Sequence, residues 1–293
     1  MSWKDRPHAL ESGVMSSKNI DEATVVGFGE EWSSYTQEQL DPSEHRLLFE
    51  QYFSVFPFSE LPPEAEGFDL GCGTGRWAAL MARRVARLHC IDPAPKALAV
   101  ARRLLAGLTT VSFHQCGVDD LALSDDSQDF GYSIGVLHHI PDTEAAIACC
   151  VRKLKSGAPF LVYIYYNFDN RASWFRAIWR ISEIGRTAIS RLPFPARKAV
   201  TTVIAASVYW PLARAAWMLE KAGADVLNLP LSEYRYRGFY SMRTDALDRF
   251  GTRLEHRFSK TEIETMMNRS GLKDVCFRDG PPFWVACGRK AER

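Results

Sequence analysis

The sequence predicts an α/β fold: a seven-stranded, mostly parallel sheet with helices on both faces, a C-terminal antiparallel hairpin, and a helical insertion after the fifth strand. Three observations carry this. From residue 67, short apolar runs alternate with helical stretches, the pattern of a parallel sheet covered on both faces. The alternation stops over 167–241, which holds four of the eight tryptophans and many arginines. It resumes near the end with a capped helix and two strands joined only by "RDGPP", so those strands are antiparallel neighbours.

The elements follow in order. Residues 1–40 are polar and irregular at first, then read "VGFGEEWSSY". A helix starts at "DPSEHRLLFEQYF", where Asp41 caps, Pro42 takes the first helical position and Glu44 supplies the capping-box acid. "LPPEAE" breaks it. "GFDLG" is the first strand and "TGRWAALMARRVA" a helix; "RLHCID" is the second strand and "PAPKALAVARRLLAG" a helix. "VSFHQC" and "FGYSIGV" are strands three and four. "DTEAAIACCVRKLKSG" is a helix ending at Gly157, and "APFLVYIYY" is strand five. In the insertion, "WFRAIWRISEIGRTAIS" places Trp174, Ile178, Ile181 and Ala188 on one helical face and Arg176, Arg180, Glu183 and Thr187 on the other. The expectation is a helix packed on the sheet as a lid; a membrane-surface helix or a dimer interface are the alternatives. Ser259 and Glu262 make a capping box for the last helix.

Composition bounds the function. The chain has 293 residues and a net charge of +1, which argues against an overall electrostatic footprint for nucleic acid. The seven cysteines form no Cys-x-x-Cys pair, and Cys149 and Cys150 are adjacent, which suits neither a disulfide framework nor a zinc site. Reduced, buried thiols in a cytoplasmic protein are expected. "MSWKDRPHALESG" has no apolar core and does not read as a signal peptide. The apolar stretch "AVTTVIAASVYWPLA" (199–213) is shorter than the ~20 residues of a spanning helix, and Pro211 is expected to interrupt it. No transmembrane segment is predicted.

The stretch that carries chemistry is "DLGCGTGRW", residues 69–77. A dinucleotide fingerprint would place its third glycine at position 76, which is Arg76, and the Gly-Lys-Ser/Thr of a P-loop is absent. Alternate glycines let the backbone approach a ligand closely. Asp69 ends the first strand, where its carboxylate suits a cation. Asp92 ends the second, where an acid hydrogen-bonds ribose hydroxyls. The ligand implied has a ribose, a positive group and no phosphates, which S-adenosylmethionine fits.

"GFDLGCGTGRWA", "LHCIDPAPKAL", "VDDLAL", "DFGYSIGVLHHIPD" and "LKSGAPFLVYIYY" resemble, in order and spacing, the successive motifs of class I S-adenosylmethionine-dependent methyltransferases, nearest the branch with quinone-biosynthesis and bacterial small-molecule enzymes. The resemblance covers roughly residues 65–166. It implies a Rossmann-like sheet, S-adenosylmethionine as cofactor and S-adenosylhomocysteine as product. It implies that Asp69, Gly71, Cys72, Gly73 and Gly75 line the methionine part, Asp92 holds the ribose with Pro93 shaping the turn, and Val118 and Asp119 flank the adenine. Gly117 stands where the family often has an acid. Gly135 and Val136 would lie beneath the sulfonium with His139 nearby; the other reading of His138 and His139 is a cap for the next helix. Phe28 and Trp32 resemble the aromatic segment that folds over the cofactor. The implied division is a helical cap over 1–60, a cofactor-binding core over 61–166 and 253–293, and an acceptor-binding lid over 167–252.

Methyl transfer needs a nucleophile held in line about 3 Å from the methyl group and shielded from water. No metal-ligand cluster is visible in the sequence. Two segments reach the carboxyl ends of the strands: "YIYYNFDNR" and residues 234–259, dense in aromatic and charged residues. Tyr166, Tyr236, Tyr240 and Arg243 are the candidate acceptor-binding residues, Arg243 as a clamp for a carboxylate. His139, Asp245 and His256 are the candidate bases. No Asn-Pro-Pro-Tyr or Asp-Pro-Pro-Tyr motif follows strand four, which leans towards O-, C- or S-methylation of a small molecule. The alternative is an RNA or protein methyltransferase docking through the Arg-rich insertion. A monomer or homodimer is expected.

Overall fold

The computed structural model describes residues 19–292. Seven strands form one sheet in the order β3-β2-β1-β4-β5-β7-β6: β1 Glu66–Leu70, β2 Arg87–Ile91, β3 Val111–His114, β4 Phe130–Ile134, β5 Pro159–Tyr163, β6 Leu272–Phe277 and β7 Val285–Lys290. The first five are parallel; β7 runs antiparallel to both β5 and β6. The strand order reverses between β1 and β4, the point where open α/β sheets hold their ligands.

The two central strands fit by a reciprocal glycine–phenylalanine exchange. Gly67 pairs with Phe130 and Phe68 with Gly131. A Cβ on Gly67 would come within 2.4 Å of the Phe130 ring, and one on Gly131 within 2.4 Å of the Phe68 ring. Each ring thus fills the space its neighbour's missing side chain leaves. Phe130 joins the core on one face with Phe49, Phe53, Trp77 and Leu98; Phe68 joins the core on the other with Ile147, Phe160, Ile263 and Met267.

The covering helices are α1 Glu22–Ser34, α2 Pro42–Tyr52, α3 Ala78–Met81, α4 Pro95–Leu104 and α5 Thr143–Lys153, with α10 Lys260–Arg269 near the end. Asp41 caps α2 with Pro42 at its start, and the Ser259–Glu262 capping box opens α10, as the sequence predicts. The helix expected over 74–86 is reduced to the four residues of α3. Gly75 stands at φ +78° before it, and the three-residue turns Trp77–Leu80 and Met81–Arg84 tighten the chain on either side. Asp142 caps α5 through its side chain, so neither His138 nor His139 does.

The insertion contains α6 Ser173–Ile189, α7 Phe194–Ile204, α8 Trp210–Lys221 and α9 Phe239–Gly251. Pro211 does not end its helix. A π-helical turn, Ala205–Tyr209, joins α7 to α8 just before it and absorbs the missing backbone donor. Ala205, Tyr209 and Ala213 pack there on Tyr234, Met242 and Ala246. The orientation of α6 reverses the expectation. Its Trp174, Ile178, Ile181 and Ile184 face outward, while Trp179, Ser182, Glu183 and Arg186 meet the α9 segment. A cluster of fixed charges, with Glu183 against both Arg186 and Arg249, holds that inner face where an apolar seam was expected. No described helix is long and apolar enough to cross a membrane. Of the seven free cysteines five are buried; Cys276 is exposed.

Candidate active site

The loops leaving β1, β2 and β4 converge at the strand-order reversal. Gly71 and Gly73 hold φ of +74° and +55°, open to glycine and costly to other residues. A Cβ on Gly71 would lie 2.4 Å from Val136, so the two loops meet only because it has none. Gly75 serves packing: a Cβ there would strike Leu105, the residue that ends α4, at 2.6 Å.

Asp92 ties this loop to the next. Its carboxylate accepts the Gly73 amide at 2.9 Å and the Ala94 amide at 2.8 Å. Burial pushes its pKa up to about 6 against those two bonds. Asp69 lies buried below the loop, where desolvation raises it to about 8, opposed by the neighbouring Tyr132 hydroxyl and reinforced by the charge of Asp92. Asp92 on the cavity wall, beside glycines whose backbone a ligand can approach closely, fits a ligand that brings ribose hydroxyls and no phosphates. The residues therefore suit S-adenosylmethionine.

A cavity of about 660 Å³ runs from these loops to the insertion, within the range of small-molecule sites. Its near wall carries Gly71, Cys72, Gly73, Asp92, Pro93, Val118, Gly135 and Val136, with Phe28 and Trp32 of α1 above them. The Phe28 ring stands edge-on to His139, centroids 4.9 Å apart. The His139 Nδ1 lies 2.7 Å from the Leu254 carbonyl, so Nδ1 carries the proton. Its Nε2 is buried without a partner, and burial lowers the ring to about 4, leaving it neutral.

The far wall is aromatic and charged. Tyr166, Phe168, Phe175 and Trp179 form a run of rings with successive centroids 4.4 to 5.4 Å apart around Phe168. Phe168 sits at φ +63°, a backbone state rare for a bulky residue and concentrated at functional sites. Asp245 pairs with Arg237 at 3.2 Å. Asp248, one turn on, accepts the Tyr165 hydroxyl. Burial raises Asp248 to about 7, opposed by the Tyr165 bond and reinforced by Glu255. Arg249 and Arg257 share the buried Glu255.

Seven predicted residues lie off this cavity's wall. Asp69 and Gly75 sit behind it, as described. The Asp119 carboxylate accepts the Asn19 amide instead, while Asn19, Ile20, Gly117 and Val118 form that wall. Tyr236 is exposed and bound to Glu220. The Tyr240 hydroxyl accepts the Gln37 amide at 2.9 Å, and the Arg243 guanidinium lies 4.8 Å over Tyr35. His256 donates its backbone amide to His138, and its ring is not part of the wall. The reason is helical: α9 turns Asp245, Asp248 and Arg249 to the cavity, so Tyr240 and Arg243 fall on its opposite side. Asp248, Tyr165 and Phe168 lie in the two segments the sequence points to but are not singled out there, and Trp179 is not read as a wall residue. The three-residue step from Asp245 to Asp248 on one helix was the available signal.

A family pattern described as a methyltransferase domain matches residues 68–162. A ubiquinone biosynthesis O-methyltransferase from Alkalilimnicola ehrlichii is 40% identical over 91 residues, 30% of this chain and 37% of that protein. One from Xanthomonas oryzae is 34% identical over 132 residues, 44% and 52%. These matches span about half or less of the relatives' length. A third, from Xanthomonas axonopodis pv. citri, is 31% identical over 189 residues, covering 63% of this chain and 74% of the relative. The chain belongs to the class I S-adenosylmethionine-dependent methyltransferases. The fold agrees: an O-methyltransferase family protein from Burkholderia thailandensis superposes with a TM-score of 0.50 at 13% identity, over 84% of this methyltransferase and 56% of that chain. Its cofactor is S-adenosylmethionine, and among the described residues no group of acids, histidines and cysteines could hold a metal ion.

Proposed function

We propose that this methyltransferase moves the methyl group of S-adenosylmethionine to a hydroxyl of a small molecule, with Asp248 as the general base. The observation that carries the reading is the carboxylate–tyrosine pair, Asp248 and Tyr165, on the far wall of the same cavity whose near wall holds the glycine loop and Asp92. Bound there, the cofactor supplies a methyl group activated on a sulfonium. Asp92 takes the ribose hydroxyls, Asp69 stands behind the glycine loop that carries the methionine end, and Trp32 and Phe28 close the site from water. The rings around Phe168 hold a flat or apolar acceptor. The Tyr165 hydroxyl occupies Oδ2 of Asp248 and leaves Oδ1 to take the acceptor's proton. The relatives named as O-methyltransferases favour oxygen as the receiving atom.

The alternative of an RNA or protein acceptor draws on the arginines of 171–197. The run of rings around Phe168 at the far wall supports a small flat or apolar acceptor; the arginines there are matched by acids, Arg237 by Asp245 and Arg249 and Arg257 by Glu255.

Asp248→Asn keeps the shape and removes the base. Its kcat is expected to fall by about 100-fold or more, with S-adenosylhomocysteine affinity unchanged. In the wild type, a carboxyl at about 7 is protonated below that pH and cannot accept a proton. The kcat is therefore expected to rise as pH climbs through about 7 and to lose that limb in Asp248→Asn. The measurement is transfer from methyl-tritiated cofactor to a panel of hydroxylated aromatic acids. Equal rates for both proteins, with the same pH profile, would remove Asp248 from the chemistry.

A further inference from the structure

We propose that the insertion docks on an anionic lipid bilayer through the outward face of α6 and the apolar rim of the cavity. Helix α6 has no buried residue at all. Trp174, Ile178, Ile181 and Ile184 are 48%, 52%, 69% and 75% exposed, and their spacing puts them on one stripe. Contiguous exposed apolar surface of this kind marks an interaction site. The stripe runs into the cavity mouth: Ile178 belongs to both, and Val208, Leu212 and Leu227 are exposed and line the cavity too.

Charge selects the occupant. Of the seven basic residues in 171–198, Arg176, Arg180 and Arg191 are exposed, while Arg186 and Arg197 are held inward by Glu183 and Glu30; the one acid of the segment, Glu183, is taken up on the inner face. Exposed Arg180 lies one turn before Ile184 at the edge of the stripe, and exposed Arg191 follows in the turn after α6. Arginines flanking an apolar face with an exposed tryptophan are the pattern of a helix lying in an anionic lipid interface. Two copies of this face would bring like charges together. Trp210 and Trp217 of α8 are also partly exposed, and such rings suit the headgroup level. The docked orientation turns the cavity mouth to the bilayer. Entry of a membrane-dissolved acceptor by that route rests on the proposed function; the docking does not.

The test is co-sedimentation of the whole protein with vesicles of equal parts phosphatidylglycerol and phosphatidylcholine, and with phosphatidylcholine alone. The wild type is expected to pellet with the anionic vesicles, and about tenfold less with neutral ones or at high salt. Ile181→Glu with Ile184→Glu is expected to weaken binding about tenfold, with S-adenosylhomocysteine affinity retained as proof of folding. Should that variant not fold, Arg180→Gln with Arg191→Gln gives the charge arm alone and is expected to weaken anionic binding only. Wild type that stays in the supernatant, or variants that bind as it does, would overturn the proposal. So would a dimer in light scattering that the glutamates dissociate, which would assign the stripe to a second copy. Because S-adenosylhomocysteine binding is read separately, failure of docking leaves the methyltransferase reading standing.

Discussion

Asp92→Ala is expected to weaken S-adenosylhomocysteine binding by about 100-fold or more. Hydrogen bonds to a charged group contribute ~1.5–3 kcal/mol each, and a ribose offers two hydroxyls to one carboxylate. The substitution also strips the Gly73 and Ala94 amides of their acceptor, so the loop loses its anchor along with the ligand contact. Asp92→Asn separates the two effects: it keeps an oxygen for one amide and removes the charge, and an intermediate loss is expected. Equilibrium dialysis with labelled S-adenosylhomocysteine measures both. Retention of affinity within about threefold in Asp92→Ala would remove Asp92 from the ribose role.

Gly131→Ala is expected to destabilise the fold by about 3 kcal/mol, near the upper end of overpacking costs, and to lower Tm by several degrees. The added methyl would stand 2.4 Å from the Phe68 ring in the centre of the sheet, against a side chain with no exposed surface. Phe160 pairs with Gly131 from the other neighbouring strand and its ring centroid lies 6.0 Å from that of Phe68, so two buried rings meet over the missing side chain. Adding Phe68→Leu is expected to restore part of the loss, because the shorter side chain vacates the clash. A Gly131→Ala protein with an unchanged denaturation midpoint would show that this pairing does not set the sheet's geometry.

The core was legible in the sequence because its signals are local. Strand β1 announces itself by an apolar run ending in a glycine loop, and Asp92 by its place at the end of β2. The far wall was not. Residues 234–259 read as one dense polar stretch, but α9 splits them by helical rotation: Asp245 and Asp248 turn inward, Tyr240 and Arg243 outward to the Tyr35 segment. For α6 the periodicity was read correctly and its sign was not. Amphipathic spacing says that two faces differ; it does not say which meets protein, and here Trp179, Glu183 and Arg186 do. The Gly67–Phe130 and Phe68–Gly131 exchange is invisible before the register of β1 on β4 is known.

The central claim is that the glycine loop and Asp92 hold a nucleoside that carries a cationic amino acid and no pyrophosphate. Calorimetric titration of the wild-type protein with S-adenosylhomocysteine and with NAD, side by side, tests it most directly. The expected result is saturable one-to-one binding of S-adenosylhomocysteine in the micromolar range and no heat of binding from NAD. Binding of NAD with none of S-adenosylhomocysteine would contradict it.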